Sequence, residues 1–518
     1  MVRPWLCLLC FVLALFAGGL VSPAGADRPI PAPEDSVVHP NGMVSVQDLP
    51  PVAPASPDPK HKERRVENMD VLNGTKLAHG GALAHQPPPS SGTPAPITVA
   101  GVVAPGGLQG LRLSESGGWI PPDTQIGVGP GHVFEVVNLE GRIWTKTGSL
   151  VKSFDLNSFF GLPPSVELSD PRIRFDALSN RWFVAIVSFN SSFTSGAWNL
   201  AVSSGPDPTA TFVRYTISTS KSAPDFPALA INEDKVVLTA NAFRGNSFVG
   251  TEFVVLNKAN LVAWASVASS YFGPPQGLFT IQPAHALSTN CVGNCPLYMA
   301  SVAFNSASSI QVWTVTGVPG SGSVTRTTTT KSIGTLTSPP DAKQQGTTVL
   351  IQTNDNRLLD AAYRDNILWV AATSACVPTG DSSTRACLRF IKLSTASGIS
   401  KVQDFDFGQL AVYYYYPALQ IDAGKNLIAV FSGSSTSNFA SVYASGQGST
   451  DPVNTFQLPV LVKQGENAYK PFASRWGDYS SAALDPSDQS TVWVAGEYAH
   501  IDGGSEWGTW IAPVHMFP

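Results

Sequence analysis

The chain has 518 residues, a formal net charge of −5 and only 13% charged residues, together with 45 glycines, 42 prolines and 10% aromatic residues. The small net charge and the lack of a long basic stretch exclude the electrostatic signature of a nucleic-acid-binding protein. Abundant glycine, proline and aromatic residues favour many short strands joined by tight turns.

The amino-terminal segment, residues 1–26, has the features of a secretory signal peptide. Arg3 precedes an apolar stretch over residues 5–21, and residues 24–26 (Ala-Gly-Ala) form a small-residue cleavage site. An uncleaved membrane anchor is the alternative, although the apolar stretch is short for a membrane span. We therefore expect a secreted, extracellular protein that has no membrane span after signal cleavage, and we expect it to be a monomer.

Residues 27–96 are rich in proline and contain a short charged cluster at residues 60–65. Such a composition buries too little apolar surface to offset the entropy of ordering the chain. It predicts a disordered, extended spacer ahead of a folded domain that spans residues 97–518.

A strand-turn-strand unit recurs through this domain and is clearest at residues 170–188. There an alternating stretch leads into a polar turn at residues 176–181, and a β-branched and aromatic stretch follows. The residues just before the turn of each copy are Val128, Phe175, Ile231, Leu287, Tyr363, Ile421 and Leu484. The copies are spaced by about 59 residues, which leaves room for four strands per copy.

Copies of this size cannot bury their own apolar faces, so they must stack on one another. We therefore predict an all-β fold, a seven-bladed β-propeller, whose ring is closed by an N-terminal strand (residues 97–103) in the last blade. A pair of β-sandwiches with coincidental turn spacing is the alternative.

Removal of the signal peptide leaves four cysteines in a chain bound for an oxidising compartment. Local pairing, Cys291 with Cys295 and Cys376 with Cys387, is the simplest of three connectivities. A zinc site is the competing interpretation, but the usual Cys-x₂-Cys spacing is missing and no histidine adjoins either pair. We expect no metal and no cofactor.

Several short motifs resemble those of a loose family of secreted, mainly bacterial β-propeller-like proteins. They include Pro121-Pro122-Asp123-Thr124 with Val128-Gly129-Pro130-Gly131-His132, Ser169-Asp170-Pro171, Arg357-Leu358-Leu359-Asp360-Ala361, and Arg475-Trp476-Gly477-Asp478-Tyr479-Ser480 with Asp485-Pro486. The resemblance covers most of residues 119–500. It implies fold and compartment rather than chemistry, because such propellers commonly have no assigned reaction. The Asp-box turn of sialidases is absent from the sequence.

If the first strand of each copy is the innermost one, polar residues at its start converge on one mouth of the central channel. These candidate ligand-binding residues are Asp123, Asp170, Arg172, Asp225, His285, Arg357, Asp360, Tyr416, Arg475, Asp478 and Tyr479. The arginines could clamp a carboxylate, and Asp170, Asp478 or Glu497 with Tyr479 or His285 could supply a general acid and base.

The structural interpretation competes with this one, because aspartates at strand starts often cap loop amides and an adjacent arginine is then their ion-pair partner. In the aromatic run at residues 413–416, strand alternation predicts two packed rings and two solvent-facing rings.

Serine-hydrolase, zincin, P-loop and EF-hand signatures are all missing. The sequence thus favours a binding or interaction module whose ligand is a glycan or a cell-surface protein. A polysaccharide lyase or glycosidase acting at the channel mouth is the runner-up hypothesis, and a scaffold without a small ligand is the third.

Overall fold

The computed structural model describes residues 33–52, 102–103, 106–219, 222–274, 278–287, 291–470, 475–501 and 506–516. The predicted signal peptide and most of the predicted spacer lie outside these residues. The described strands form seven small sheets, each built on an antiparallel core. The protein is a seven-bladed β-propeller, as the sequence predicts.

Blades 1 to 3 each contain four consecutive strands. Blade 1 consists of the strands Gln125–Val128, His132–Val137, Glu140–Thr145 and Leu150–Asp155. Blade 2 consists of Glu167–Asp176, Arg181–Phe189, Gly196–Ser203 and Thr211–Thr219. Blade 3 consists of Ala223–Ile231, Lys235–Arg244, Ser247–Asn257 and Val267–Phe272.

Blades 4 to 6 repeat the pattern with one irregularity. Blade 4 consists of Gln282–Pro283, Leu297–Val302, Ser306–Thr316 and Thr325–Thr337. Blade 5 consists of Leu358–Arg364, Ile367–Cys376, Arg385–Ser394 and Ser400–Phe407, with His285–Ala286 added in parallel to its first strand. Blade 6 consists of Tyr413–Ile421, Leu427–Ser435, Asn438–Gln447 and Val460–Lys463.

Blade 7 is assembled from both ends of the propeller. Its strands are Ser481–Leu484, Val492–Ala499 and Trp507–Met516, and the outer edge of the last of these pairs with Leu108–Arg112 and Val102–Val103. The predicted closure by an amino-terminal strand is confirmed: Val102–Val103 belongs to the predicted strand, whose residues 97–101 lie outside the described residues, and Leu108–Arg112 adds pairing beyond it. Closure of this kind links the two ends of a ring that would otherwise open.

The first strand of each blade, hereafter the inner strand, contacts the inner strands of both neighbouring blades, and these contacts run once around the ring. Away from the axis, apolar clusters lie between consecutive blades, including one that joins blade 7 to blade 1. Trp182, for example, is completely buried between blades 1 and 2. Strands buried on both faces explain the long apolar runs of the sequence, since each buried large side chain contributes about 1.5–3 kcal/mol.

Residues 33–52 correct part of the spacer prediction. Glu34–Val38 pairs antiparallel with the outer strand of blade 3, and Pro40–Ser45 pairs with the outer strand of blade 2. The 3₁₀ turn Val46–Asp48 follows, and Val46 is completely buried in the cluster between blades 1 and 2. We call residues 34–49 the strap. An open sheet edge offers unpaired backbone groups, which is why a proline-rich segment can be ordered there.

The remaining regular elements are short. A one-turn helix, Leu156–Phe160, is capped by Asp155 and ends at the left-handed Gly161, and a second, Lys258–Val262, is capped by Asn257. A 3₁₀ turn spans Leu113–Glu115. Both predicted disulfides, Cys291–Cys295 and Cys376–Cys387, are in place. No helix in the described part of the chain is long and apolar enough to span a membrane.

Candidate functional site

Three inner strands begin with the same local distortion. Asp170, Phe226 and Tyr416 each adopt a left-handed conformation, with φ between 50° and 57°, directly before a proline. The pairing register of each strand shifts at this point. Non-glycine residues rarely adopt this conformation, which costs about 1–2 kcal/mol, so tertiary contacts must hold it. Those contacts are made at the centre of the ring.

Asp170 is the acceptor at the middle of this region. Its carboxylate accepts hydrogen bonds from the backbone amide of Phe226 at 3.0 Å, the hydroxyl of Tyr479 at 3.3 Å and the hydroxyl of Ser169 at 2.6 Å. The guanidinium of Arg172 lies 3.6 Å above the ring of Tyr479. Blades 2 and 3 are therefore tied to the connection that precedes blade 7.

Asp123 ties blade 1 to the same connection. Its carboxylate accepts hydrogen bonds from the amide of Asp478 at 3.0 Å and from the side chain of Asn138 at 2.7 Å. Asp478 in turn forms an ion pair with Arg475 at 2.9 Å. Burial, aided by the neighbouring carboxylates of Asp478 and Asp170, raises the pKa of Asp123 well above its ordinary value.

Arg357 carries the third part of the cluster. It forms a buried, bidentate ion pair with Asp355, with Nη2 to Oδ2 at 2.6 Å, and its guanidinium lies 4.3 Å from the ring of Phe226. Asp225 is close by, and burial followed by the charge of Asp170 raises its pKa to about 7. The five aspartates and three arginines thus form one charged network, which we call the axial cluster: Asp123, Asp170, Asp225, Asp355, Asp478, Arg172, Arg357 and Arg475.

Aromatic side chains surround the axial cluster. Tyr416 donates a hydrogen bond from its hydroxyl to the carbonyl of Gln352 at 3.0 Å and from its amide to Thr373 at 3.0 Å. Contrary to the predicted alternation, all four tyrosines of residues 413–416 are buried. The reason is that the connections 338–357 and 475–480 pack over this end of the ring and bury rings that would otherwise face solvent.

Two predicted site residues lie apart from the axial cluster. Asp360 accepts hydrogen bonds from the amides of Ala361 and Leu419, and its carboxylate is 3.8 Å from Arg174. His285 is buried, and its burial and the charges of Arg174 and Lys258 lower its pKa to about 3. The structure therefore brings nine of the eleven predicted residues to the axial region and leaves these two beside Arg174.

The opposite end of the central channel, away from the strand starts where the sequence placed the ligand site, holds a cavity of about 80 Å³, and from here on the term channel mouth means this end. It lies where the inner strands end, and its polar lining residues are Arg174, Asp176, His285, Arg364, Gln420 and Gln489. Its walls are mainly apolar, with Ile126, Phe175 and Leu484 among them. Arg174, Arg364 and Gln420 were not among the site residues predicted from the sequence. Each lies within one residue of the end marker of its repeat, which is the signal that could have identified them.

Buried polar atoms without hydrogen-bond partners occur at both ends of the channel. In the axial cluster, Arg475 is paired with Asp478 and Arg357 with Asp355, while Arg172 Nη2 and Asp225 Oδ2 have no partner within the described protein. At the channel mouth, buried donors of Arg174 and Arg364 have no acceptor within the described protein. In the described ranges, no group of three or more His, Cys, Asp or Glu side chains is arranged to hold a metal ion.

Comparisons with known proteins place the chain near other structures without identifying a family. No family model and no curated protein matches it. Three solved structures are similar at low identity. A protein of unknown function from Dyadobacter fermentans is 10% identical with a TM-score of 0.35, and the match covers 68% of this chain and 96% of that one. An apocarotenoid oxygenase mutant from Synechocystis is 12% identical with a TM-score of 0.37, covering 66% and 74%. The Dos1 propeller is 10% identical with a TM-score of 0.32, covering 73% and 75%.

Proposed function

We propose that the protein is a secreted β-propeller module that binds a glycan at the channel mouth. One observation carries the proposal: buried hydrogen-bond donors without acceptors line a cavity there, beside apolar walls. Binding sites combine a mainly apolar cavity with a few convergent polar groups, and sugars present the hydroxyl and carboxylate oxygens that such donors need.

Secretion is part of the proposal and is supported by independent features. Residues 1–26 have the pattern of a signal peptide, and four cysteines form two disulfides, which persist in oxidising compartments.

The enzyme hypothesis receives less support. Three of its acid and base candidates are buried and bonded within the protein: Asp170 accepts from the Phe226 amide and the Tyr479 hydroxyl, and Asp478 pairs with Arg475. Glu497 accepts from the Gly477 amide at 2.7 Å but leaves Oε1 without a partner, and His285 lies at the channel mouth. Pairing of the first three is the mark of a structural network rather than of groups waiting for a substrate.

The test is a screen of the purified, secreted protein against neutral and anionic glycans, with and without calcium. We expect saturable binding to a subset of glycans, and we expect a substitution at the mouth, Arg364→Gln, to weaken it. Unchanged glycan binding by the Arg364→Gln variant would show that the binding site lies elsewhere on the propeller. A screen without any glycan hit, together with capture of a defined cell-surface protein, would replace the proposal with the protein-binding alternative.

A further inference from the structure

The channel mouth contains an arginine that the protein itself does not satisfy. Arg364, the last residue of the blade 5 inner strand, is 6% exposed, and its Nε and Nη2 atoms have no hydrogen-bond acceptor. Arg174, near the end of the blade 2 inner strand, leaves its Nε without an acceptor as well. Buried charged donors without partners are strongly disfavoured, so their presence beside a cavity points to an occupant that supplies acceptors.

Nearby carboxylates do not fill this need. Asp176 is engaged by Lys258 at 2.7 Å. Asp360 accepts from two backbone amides and lies 3.8 Å from Arg174 Nη2, which leaves the Nε of Arg174 without an acceptor. Of the other two acidic neighbours of Arg364, Asp365 lies 3.6 Å from Lys425, and Asp422 accepts from Asn426 at 2.8 Å. Asp365 and Asp422 act on Arg364 through their charge. Neither aspartate accepts a hydrogen bond from Nε or Nη2 of Arg364.

His285 adds a complementary acceptor. Its Nδ1 has no hydrogen-bond partner and the side chain lines the same cavity. Because the ring is buried and the charges of Arg174 and Lys258 are near, the pKa of His285 is lowered and the imidazole is neutral at physiological pH. A neutral imidazole carries one N–H and one lone pair, and the hydrogen bond with the backbone at Ile231 engages part of this capacity. The site thus offers guanidinium donors together with an imidazole nitrogen for a hydroxyl group.

We propose that the channel mouth binds the carboxylate end of a sugar acid, with the carboxylate on Arg364 and Arg174 and a neighbouring hydroxyl on His285. A planar guanidinium matches a carboxylate, and paired donors of this kind give both affinity and orientation. The volume of about 80 Å³ admits a carboxylate and its adjoining carbons, so the rest of the ring would lie at the rim near Leu178, which is 46% exposed.

This inference rests on the proposed function, because it names the chemical group recognised at the same site. It specifies a sugar acid rather than a neutral sugar. The carboxylate could belong to a free sugar acid or to the terminal uronate of a longer glycan, and both sources present the same group to Arg364.

The test is titration calorimetry of the full secreted chain with glucuronate, a glucuronate-terminated oligosaccharide, glucose and acetate. We expect saturable binding of both glucuronate ligands, weaker binding of acetate because it lacks the hydroxyl, and none of glucose. Tighter binding of the oligosaccharide than of free glucuronate would identify the glycan as the source. Arg364→Gln should weaken glucuronate at least about tenfold, as loss of a charged hydrogen bond does.

Arg326→Gln is the matched control, since Arg326 also has a buried donor without an acceptor but lies on the outer strand of blade 4. It should leave glucuronate binding unchanged. If Arg364→Gln does not fold, Arg364→Lys keeps the charge but removes the fork and should still weaken binding. Equal binding of glucose and glucuronate, or equal loss in the Arg326 and Arg364 variants, overturns the inference. If the glycan screen shows binding that does not depend on a carboxylate, the inference is overturned while the proposed function stands.

Discussion

The guanidinium of Arg172 lies 3.6 Å above the ring of Tyr479, although Arg172 belongs to the inner strand of blade 2 and Tyr479 to the connection before blade 7. The same tyrosine donates its hydroxyl to Asp170. One aromatic side chain therefore joins the inner strand of blade 2 to the connection that completes the ring, and its energetic role can be separated into packing and hydrogen bonding.

Substitutions of Tyr479 should separate these two contributions. Tyr479→Phe removes only the hydroxyl and should lower the free energy of unfolding by about 1 kcal/mol, whereas Tyr479→Ala also removes the ring and should lower it by about 3–5 kcal/mol. Urea denaturation followed by tryptophan fluorescence would measure both. Equal losses in the two variants would mean that the ring is not packed as described.

Arg475→Ala should unfold the protein more easily rather than abolish a reaction. Arg475 is buried and paired with Asp478 at 2.9 Å, and removal of one partner leaves the other charge buried, which costs about 3–5 kcal/mol. Lys401→Ala removes the partly exposed ion pair with Asp404 and should cost less than about 1 kcal/mol. If the Arg475→Ala protein folds and keeps the wild-type melting temperature, the result would instead support the enzyme hypothesis.

Glu252 should make stability fall as the pH rises. Burial raises its pKa from 4.5 to about 7, so the folded state binds the proton more tightly than the unfolded state does. Stability is therefore higher near pH 5 and is lost as the pH rises through 7, by up to about 3 kcal/mol. Glu252→Gln should flatten this part of the profile and stabilise the protein at pH 8, as measured by thermal unfolding across pH.

Glu34→Gln is the control for this prediction. Glu34 is exposed on the strap and lies opposite Tyr271, the residue whose hydroxyl also bonds Glu252. Its substitution should leave the slope between pH 5 and pH 8 unchanged. A Glu252→Gln profile with the wild-type slope would assign the pH dependence to other buried carboxyls.

The strap should protect two sheet edges. A chain that begins at residue 53 would expose the outer strands of blades 2 and 3, Thr211–Thr219 and Val267–Phe272, which pair with the strap in the intact protein. We expect lower stability and self-association, because open edges pair with other chains. A chain that begins at residue 33 keeps the strap and should remain like the full protein in light scattering after size-exclusion chromatography.

The two disulfides should differ in their effect on stability. The Cys376–Cys387 bond closes a longer loop than Cys291–Cys295, with sequence separations of 11 and 4 residues. Chain entropy therefore predicts that replacing Cys376 and Cys387 by serine lowers the free energy of unfolding by about 2–3 kcal/mol. Replacing Cys291 and Cys295 should lower it by less. Calorimetric melting of the two double variants would compare them. The reverse order would indicate that packing at the bonds outweighs loop closure.

The sequence alone determined the number of blades, the order of the strands, the closure by an amino-terminal strand and both disulfides. These features follow from local patterns: alternation marks a strand, a polar stretch marks a turn, and the repeated pair marks a blade. The residues predicted to precede a turn, such as Phe175, Ile231 and Ile421, lie within one residue of the end of their inner strand.

Only the tertiary structure decided which charges meet and which are buried. The aspartates and arginines at the strand starts were predictable as neighbours, but their burial depends on connections such as residues 338–357, which come from other blades. The strap pairs with strands more than 160 residues away, and the open donors of Arg364 depend on partners that Asp365 and Asp422 find elsewhere. The alternation of apolar and polar residues shows which face of a strand each side chain occupies. Long-range pairing depends instead on which surfaces the closed ring brings together.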